Sequence, residues 1–434
     1  MSNPQLRGDS NPSQVCAPDK AVKDDALQST KGARRERIRG VVTFGLGPAL
    51  GLMSGPILAH AMGPEGRGQF AGIMQPITVA SAVASLGVPS AVAYYVARRS
   101  DPRATFALGI RTTIAPLVVV IAVMIVYAQF VSERQGIPYR LLLLFWSAII
   151  LSVIVQIRRG VWQGLATWRL LDFERGAAAI LRFALVIAVA LVGWRHAGAF
   201  AAGALSSFVI ASMLLFAKLP RRVRDAENAL PGEFAKFSVF ASIGTISTIA
   251  SSRLDQLLMP AASNSDQLGY YAVAVTVAEV PLVFATLAAR NALQRSAKNW
   301  GNRRIAADTA AYFGVCVVTS IAIGTTAQWL APIVFGASFE PSVLSMQILS
   351  AASVATWIAV VSSAIMSGRG YPGYGSLIPL ISFLVTVGGF TVLWGDVTSY
   401  AASLIALMGA LAGSVVGGVL LITFKDCRVP SSGQ

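Results

Sequence analysis

Residues 245–260 read TISTIASSRLDQLLMP, preceded by FASIG and followed by AASN. The apolar run they belong to, 236–262, is long enough to cross ~30 Å of hydrocarbon as a helix. Yet it holds Arg253, Asp255 and Gln256. At ~100° per residue, Thr245, Thr248, Ser251, Ser252, Asp255 and Gln256 fall in one arc, Val239, Ile243, Ala250, Leu254 and Leu257 fall opposite, and Arg253 sits at the border. A membrane helix with one polar side must turn that side toward protein or a water-filled cavity, because lipid leaves polar groups unpaired. An intramembrane ionisable group costs at least ~2.5 kcal/mol on insertion scales and marks a function or a buried pair. Residues two apart on a helix cannot face each other, so Arg253 and Asp255 need separate partners.

One partner can be named by counting. The run 236–262 and the next, 267–289, are antiparallel across a short turn near Asn264 and Asp266. That register puts Arg253 at the depth of Glu279, in VAVTVAEVPLVF. The expectation is an Arg253–Glu279 approach at a cavity wall, serving either a passage or only the cohesion of the bundle.

The rest of the chain fits this reading. Of 434 residues, 55% are hydrophobic and 13% charged, against about 25% charged in a soluble protein. The apolar residues gather in twelve runs: 40–62, 69–97, 105–128, 139–157, 176–194, 198–217, 236–262, 267–289, 306–331, 342–366, 372–395 and 398–424. The expected class is an all-α polytopic membrane protein of about twelve transmembrane helices in two six-helix bundles.

A formal charge of +15 invites a nucleic-acid partner, and its placement argues against one. With the N-terminus inside, 28 Lys and Arg fall in cytoplasmic segments and 4 in outer loops (Arg67, Arg134, Arg140 and Arg195), leaving Arg111, Arg182 and Arg253 within spans. This is the positive-inside asymmetry, and it puts both termini in the cytoplasm of a cell with the chain in its plasma membrane. Cys16, Cys316 and Cys427 are too scattered for a disulfide framework. Residues 1–39 have no apolar core of a signal peptide; they read as a disordered basic cytoplasmic tail.

The polar stretch KLPRRVRDAENALPGEFAK, 218–236, divides the runs six and six. The expected organisation is a bundle over 40–217, a cytoplasmic linker over 218–235, a second bundle over 236–424 and a tail over 425–434. A shift of 201 lays Ala61, Gly68, Phe70 and Ala71 on Ala262, Gly269, Tyr271 and Ala272, and a shift of 204 lays Gly164 on Gly368. Both halves start on the same side, so the repeat is parallel, and transporters built this way bind substrate between repeats. Gly47, Gly51 and Gly55 in the first run and Gly409, Gly413 and Gly417 in the last form ladders that allow close packing. Arg111 and Arg182 lie near the cytoplasmic ends of their runs; they either snorkel to headgroups or line a cavity that attracts an anion.

There is no phosphate-binding GxxxxGK[ST] loop, and no HExxH or paired CxxC for a metal. No cofactor is expected, and an H+ or Na+ gradient or the membrane potential would supply the driving force.

Residues 57–99, ILAHAMGPEGRGQFAGIMQPITVASAVASLGVPSAVAYYVARR, resemble the start of the oligosaccharide flippases of the multidrug/oligosaccharidyl-lipid/polysaccharide exporter superfamily, through Gly63, Pro64, Gly68, Phe70, Gly87, Pro89, Tyr94 and Tyr95. QGLATWRLLDFER is similar to that family's loop after the fourth helix, and SSRLDQLLMPAASNSDQLGYYAVAVTVAEVP to its seventh and eighth helices. APIVFGASFEPSVLSMQIL resembles its connection from helix nine to ten, with Pro332, Phe335, Gly336, Phe339, Ile348 and Leu349. The resemblance implies two bundles forming a V, which carry a polyprenyl-diphosphate-linked glycan across the membrane by alternating access. It implies membrane lipids, a polysaccharide polymerase and a chain-length regulator as candidate partners of a monomer. Related precursor flippases hold the diphosphate with cavity arginines; here Arg111, Arg182 and Arg253 are candidates by location rather than by a matched motif. The first span lacks the arginine of the peptidoglycan-precursor branch. The candidate substrate-binding set is Arg253, Asp255, Gln256, Glu279, Arg111, Arg182, Thr248 and Ser252. A cation-coupled drug exporter of the same superfamily would use Asp255 and Glu279 instead, and three intramembrane arginines argue against it. A glycan polymerase or ligase needs a large outer loop, which this chain lacks.

Overall fold

The computed structural model describes residues 20–98, 100–216, 231–297, 301–395 and 397–424, with side chains from residue 46 onward except 231, 243–252 and 302. The tails 1–19 and 425–434 and most of the linker, 217–230, lie outside the described residues.

The first bundle contains α1 (Lys20–Ala84), α2 (Val88–Ala97), α3 (Pro102–Gln135), α4 (Tyr139–Trp146), α5 (Ala148–Gly164), α6 (Trp168–Leu191) and α7 (Ala197–Ser212). The second contains α8 (Pro231–Ala262), α9 (Ser265–Ala297), α10 (Asn302–Leu330), α11 (Val343–Gly368), α12 (Pro372–Val392) and α13 (Ser399–Thr423). A short π turn and a 3₁₀ turn, Ala331–Phe335 and Ala337–Ser342, join α10 to α11. Among the described residues eight helices are long and apolar enough to cross a membrane, or nine if a pair bent at residues 85–87 counts as one span. α6 and α8, which carry Arg182 and Arg253 with Asp255, are outside that set.

α1 is two helical arms joined at Gly63, whose φ of 67° and ψ of −174° only glycine adopts without strain. Pro64 opens the second arm, where its missing N–H leaves no helical acceptor unpaired. The chain therefore turns on a single residue. Residues 64–68 are helix, not the outer loop expected from the sequence, and Arg67 is 8% exposed rather than solvated. A second break at Leu86 and Gly87 bends α2 by 50° from α1. There a β-carbon on Gly87 would stand 2.6 Å from both the Ser238 oxygen and the Ser242 nitrogen of α8.

Buried apolar residues form two main cores, one largely in each bundle, with Phe234 and Ala261 of the second bundle joining the first core and Ala59 and Ala71 of the first joining the second. The first gathers Ile73, Val92, Trp146, Ile157 and Phe200; the second Met259, Tyr271, Phe335, Phe339 and Phe390. The faces turned away from them are apolar too: Val118, Val119, Val123 and Val126 of α3 and Val415, Val419 and Ile422 of α13 are exposed. Apolar residues on the outside as well as the inside fit a solvent of lipid.

The internal repeat appears as packing. A β-carbon on Gly68 would overlap the Ser265 carbonyl, and one on Gly269 would overlap the Pro64 carbonyl. The shift of 201 that relates Gly68 to Gly269 also relates Pro64 to Ser265. α1 and α9 thus cross through two equivalent contacts, each helix lending the other a glycine and a backbone. The second repeat behaves alike within each half: a β-carbon on Gly164 would stand 2.7 Å from the Ala93 carbonyl, and one on Gly368 2.6 Å from the Leu293 carbonyl. The α13 ladder packs closely as well, Gly409 against Thr386, Gly413 against Ser382 and Gly417 against Ser362. In the α1 ladder only Gly55 has a neighbour within 4 Å; Gly47 and Gly51 face open space.

Candidate functional site

α8 and α9 form an antiparallel hairpin. Asn264 caps α9 by accepting a hydrogen bond from the Gln267 N–H at 2.9 Å, which satisfies a donor the helix start cannot. The hairpin sets its charged residues against each other. Arg253 pairs with Glu279 at 3.2 Å, the approach expected from the register. The Asp255 carboxylate instead accepts a hydrogen bond from the Tyr271 hydroxyl. The cation and the anion two residues apart on α8 thus have separate partners, both supplied by α9. Arg253 also donates to the Gln256 side-chain oxygen at 3.1 Å, one turn along its own helix.

The Arg253–Glu279 pair is not sealed: the two side chains are 37% and 44% exposed. They face a cavity of about 530 Å³ enclosed by α8, α9, α11, α12 and α13, with Pro48 of α1 also on its wall. Arg253, Asp255, Gln256 and Glu279 all line it. Its other polar lining is hydroxylic, with Ser353, Thr356, Ser363, Ser382 and Thr386. Those hydroxyls were not legible as a set, because each is a single polar residue in a different apolar run. Thr248 and Ser252 lie outside the residues whose side chains are described. Arg111 is exposed on α3, and neither it nor Arg182, exposed on α6, lines this cavity.

Arg67 is the residue that sequence reasoning missed. It donates to the Thr276 hydroxyl of α9 at 3.2 Å, one turn before Glu279, and its guanidinium lies 5.6 Å from the centre of the Phe70 ring. Its Nε has no acceptor among the described residues. Arg67 of α1 and Arg253 of α8 thus both reach the same stretch of α9, at Thr276 and at Glu279. The available signal was the Gly63–Pro64 pair, which allows a turn with no loop and so draws Arg67 into the helix.

The halves are fastened at the end of the bundle that holds the Gly63 kink and the α8–α9 turn. Gln135, 1% exposed at the end of α3, donates from Nε2 to the Pro260 and Ser263 carbonyls at 2.8 and 2.9 Å. A helix leaves its last carbonyls without internal donors, so a side chain of the first bundle caps a helix of the second. Tyr127 donates to the Leu257 carbonyl further inside α8, and Arg134 donates to the Gly395 carbonyl at 3.0 Å. At the opposite end α1 is loosely held: Gly47 to Met53 are exposed or half-exposed, and burial begins at Ser54.

Comparison with known proteins agrees with this architecture. No curated protein matches the sequence. Among solved structures, an inward-facing multidrug resistance MATE family transporter of the MOP superfamily superposes with a TM-score of 0.66 at 15% identity, over 90% of this chain and 99% of that one. A MATE protein in the straight conformation gives 0.58 at 15% identity over 90% and 95%. An outward-facing transporter described in the same terms gives 0.56 at 16% identity over 90% and 95%. These likenesses establish a MATE-like fold. The family described as polysaccharide biosynthesis protein matches residues 43–293, which include nearly all of the first bundle's spans, most of the α8–α9 hairpin and Arg67, Arg253, Asp255 and Glu279. On that match, the chain belongs to the polysaccharide biosynthesis protein family.

Proposed function

We propose that this protein moves a polyprenyl-diphosphate-linked oligosaccharide, a precursor of a surface polysaccharide, across the cytoplasmic membrane by alternating access, without itself catalysing a covalent step. The observation that carries the reading is the polarity of the interior. Arg253 lines the cavity, part-exposed beside Glu279, and presents a guanidinium to whatever enters it. A diphosphate must be neutralised to enter a path of low dielectric, and arginine does this through charge-assisted, often bidentate bonds. The hydroxyls of Ser353, Thr356, Ser382 and Thr386 give a glycan partners to replace water. The lipid tail stays in the bilayer and enters from the side.

A strain depleted of the protein is expected to accumulate the lipid-linked oligosaccharide on the cytoplasmic leaflet, measured by its protection from a periplasmic glycosidase. Normal outward exposure of the precursor in that strain would remove the reading. Under the drug-exporter alternative, depletion changes susceptibility to cationic compounds and leaves surface glycan intact.

A further inference from the structure

The carboxylate at the centre of the site is in an unusual position. Glu279 pairs with Arg253 through one oxygen, and that pair faces the open cavity. One turn back along α9 from Glu279, Arg67 is buried against the Thr276 hydroxyl, its one polar partner among the described residues, with an Nε that donates to nothing among them. A buried guanidinium with an idle donor is a costly arrangement that a second acceptor would relieve. Thr276 and Glu279 lie one turn apart on α9 and so share a face.

We infer that Glu279 is a resident counter-anion shared between two arginines: it occupies Arg253 while the cavity is empty, and passes to Arg67 when an anionic ligand takes its place. The inference rests on the anion-carrying reading above and adds a consequence. Arg67 precedes Gly68, where α1 crosses α9 between the halves. Moving the carboxylate from Arg253 to Arg67 transfers a charge contact from the cavity wall to the crossing, so the interface between the halves registers whether the cavity is filled. Arg67 here is a positioning residue: it acts on the ligand only through Glu279.

The test is binding of inorganic pyrophosphate to the purified full chain in detergent, by titration calorimetry, for the wild type, Glu279→Gln, Arg67→Gln and the double variant. Removing the competing carboxylate is expected to tighten binding about three- to fivefold, the affinity equivalent of a part-exposed ion pair. Arg67→Gln is expected to weaken binding by a similar factor, because Glu279 then has nowhere else to go. In the Glu279→Gln background the same Arg67 change is expected to do nothing. Asp255→Asn removes the same formal charge from the same cavity and is expected to have a smaller effect than Glu279→Gln, since Tyr271 and not an arginine holds that carboxylate. Equal weakening by Arg67→Gln in both backgrounds would show direct ligand contact and overturn the relay. If Arg67→Gln does not fold, Glu279→Gln against Asp255→Asn decides alone, and equal effects of the two overturn it. Absence of pyrophosphate binding in both wild type and Glu279→Gln is a different failure, of the anion-carrying reading itself.

Discussion

Arg253 and Asp255 are two residues apart and lead separate lives. Each takes a partner from α9, Glu279 for the cation and Tyr271 for the acid, and this explains how one membrane helix tolerates both. The pairing with Glu279 followed from counting residues back from a turn; the pairing with Tyr271 did not, because a tyrosine in an apolar run reads as core. Replacing Arg253 by alanine is expected to lower precursor translocation about tenfold or more, the worth of a lost charge-assisted contact, while the amount of folded protein in the membrane stays normal. Equal losses of translocation and folded protein would assign the pair to cohesion of the bundle. Arg67 was placed in an outer loop by the sequence and lies buried in a helix. The error is physical in origin: hydropathy sees a short polar interval between apolar runs, and a single glycine in the left-handed region can turn a chain without any loop.

At the level of helices, the apolar runs were legible because lipid demands them, and their ends were less so. The run 69–97 is one apolar stretch in the sequence and two helices in space, bent at Leu86 and Gly87. Gly87 both holds a φ of 66° and lets α8 approach. Its replacement by alanine is expected to cost about 1–3 kcal/mol from strain and overpacking, seen as a lower melting temperature in detergent. Gly68→Ala, where the new methyl would meet the Ser265 carbonyl, is expected to lower it similarly. An unchanged melting temperature in both would mean that the crossings are looser than the structure shows. The hydroxyl arc of α8 carries its own expectation. Single cysteines at Thr248 and Ser252, in a chain lacking Cys16, Cys316 and Cys427, should react with a membrane-impermeant maleimide, while one at Ala250, which shares the apolar face with Leu254, should react more slowly.

Across the whole molecule, the two halves meet through a repeat visible in the sequence only as a handful of identities at a fixed shift. Four glycines gave it structural meaning, each placed where another helix's backbone passes too close for a side chain. What the sequence did not reveal is how the halves are held at one end, because Gln135 caps the Pro260 and Ser263 carbonyls from 125 and 128 positions away. Bridging that end with a short bismaleimide between Gln135→Cys and Ser263→Cys is expected to stop translocation, because a cycle of alternating access needs the end to open. Full activity after cross-linking would mean that the substrate crosses without separation of the halves.

The central claim is that an anionic lipid headgroup passes through an arginine-bearing interior. Purified protein in liposomes, loaded with a polyprenyl-diphosphate-linked oligosaccharide and challenged with an impermeant glycosidase, measures that passage directly. The expected result is that wild-type protein exposes the inner-leaflet pool to the enzyme and that Arg253→Ala does so at least about tenfold more slowly. Exposure at the same rate with Arg253→Ala, or at the rate of protein-free liposomes with the wild type, would contradict it.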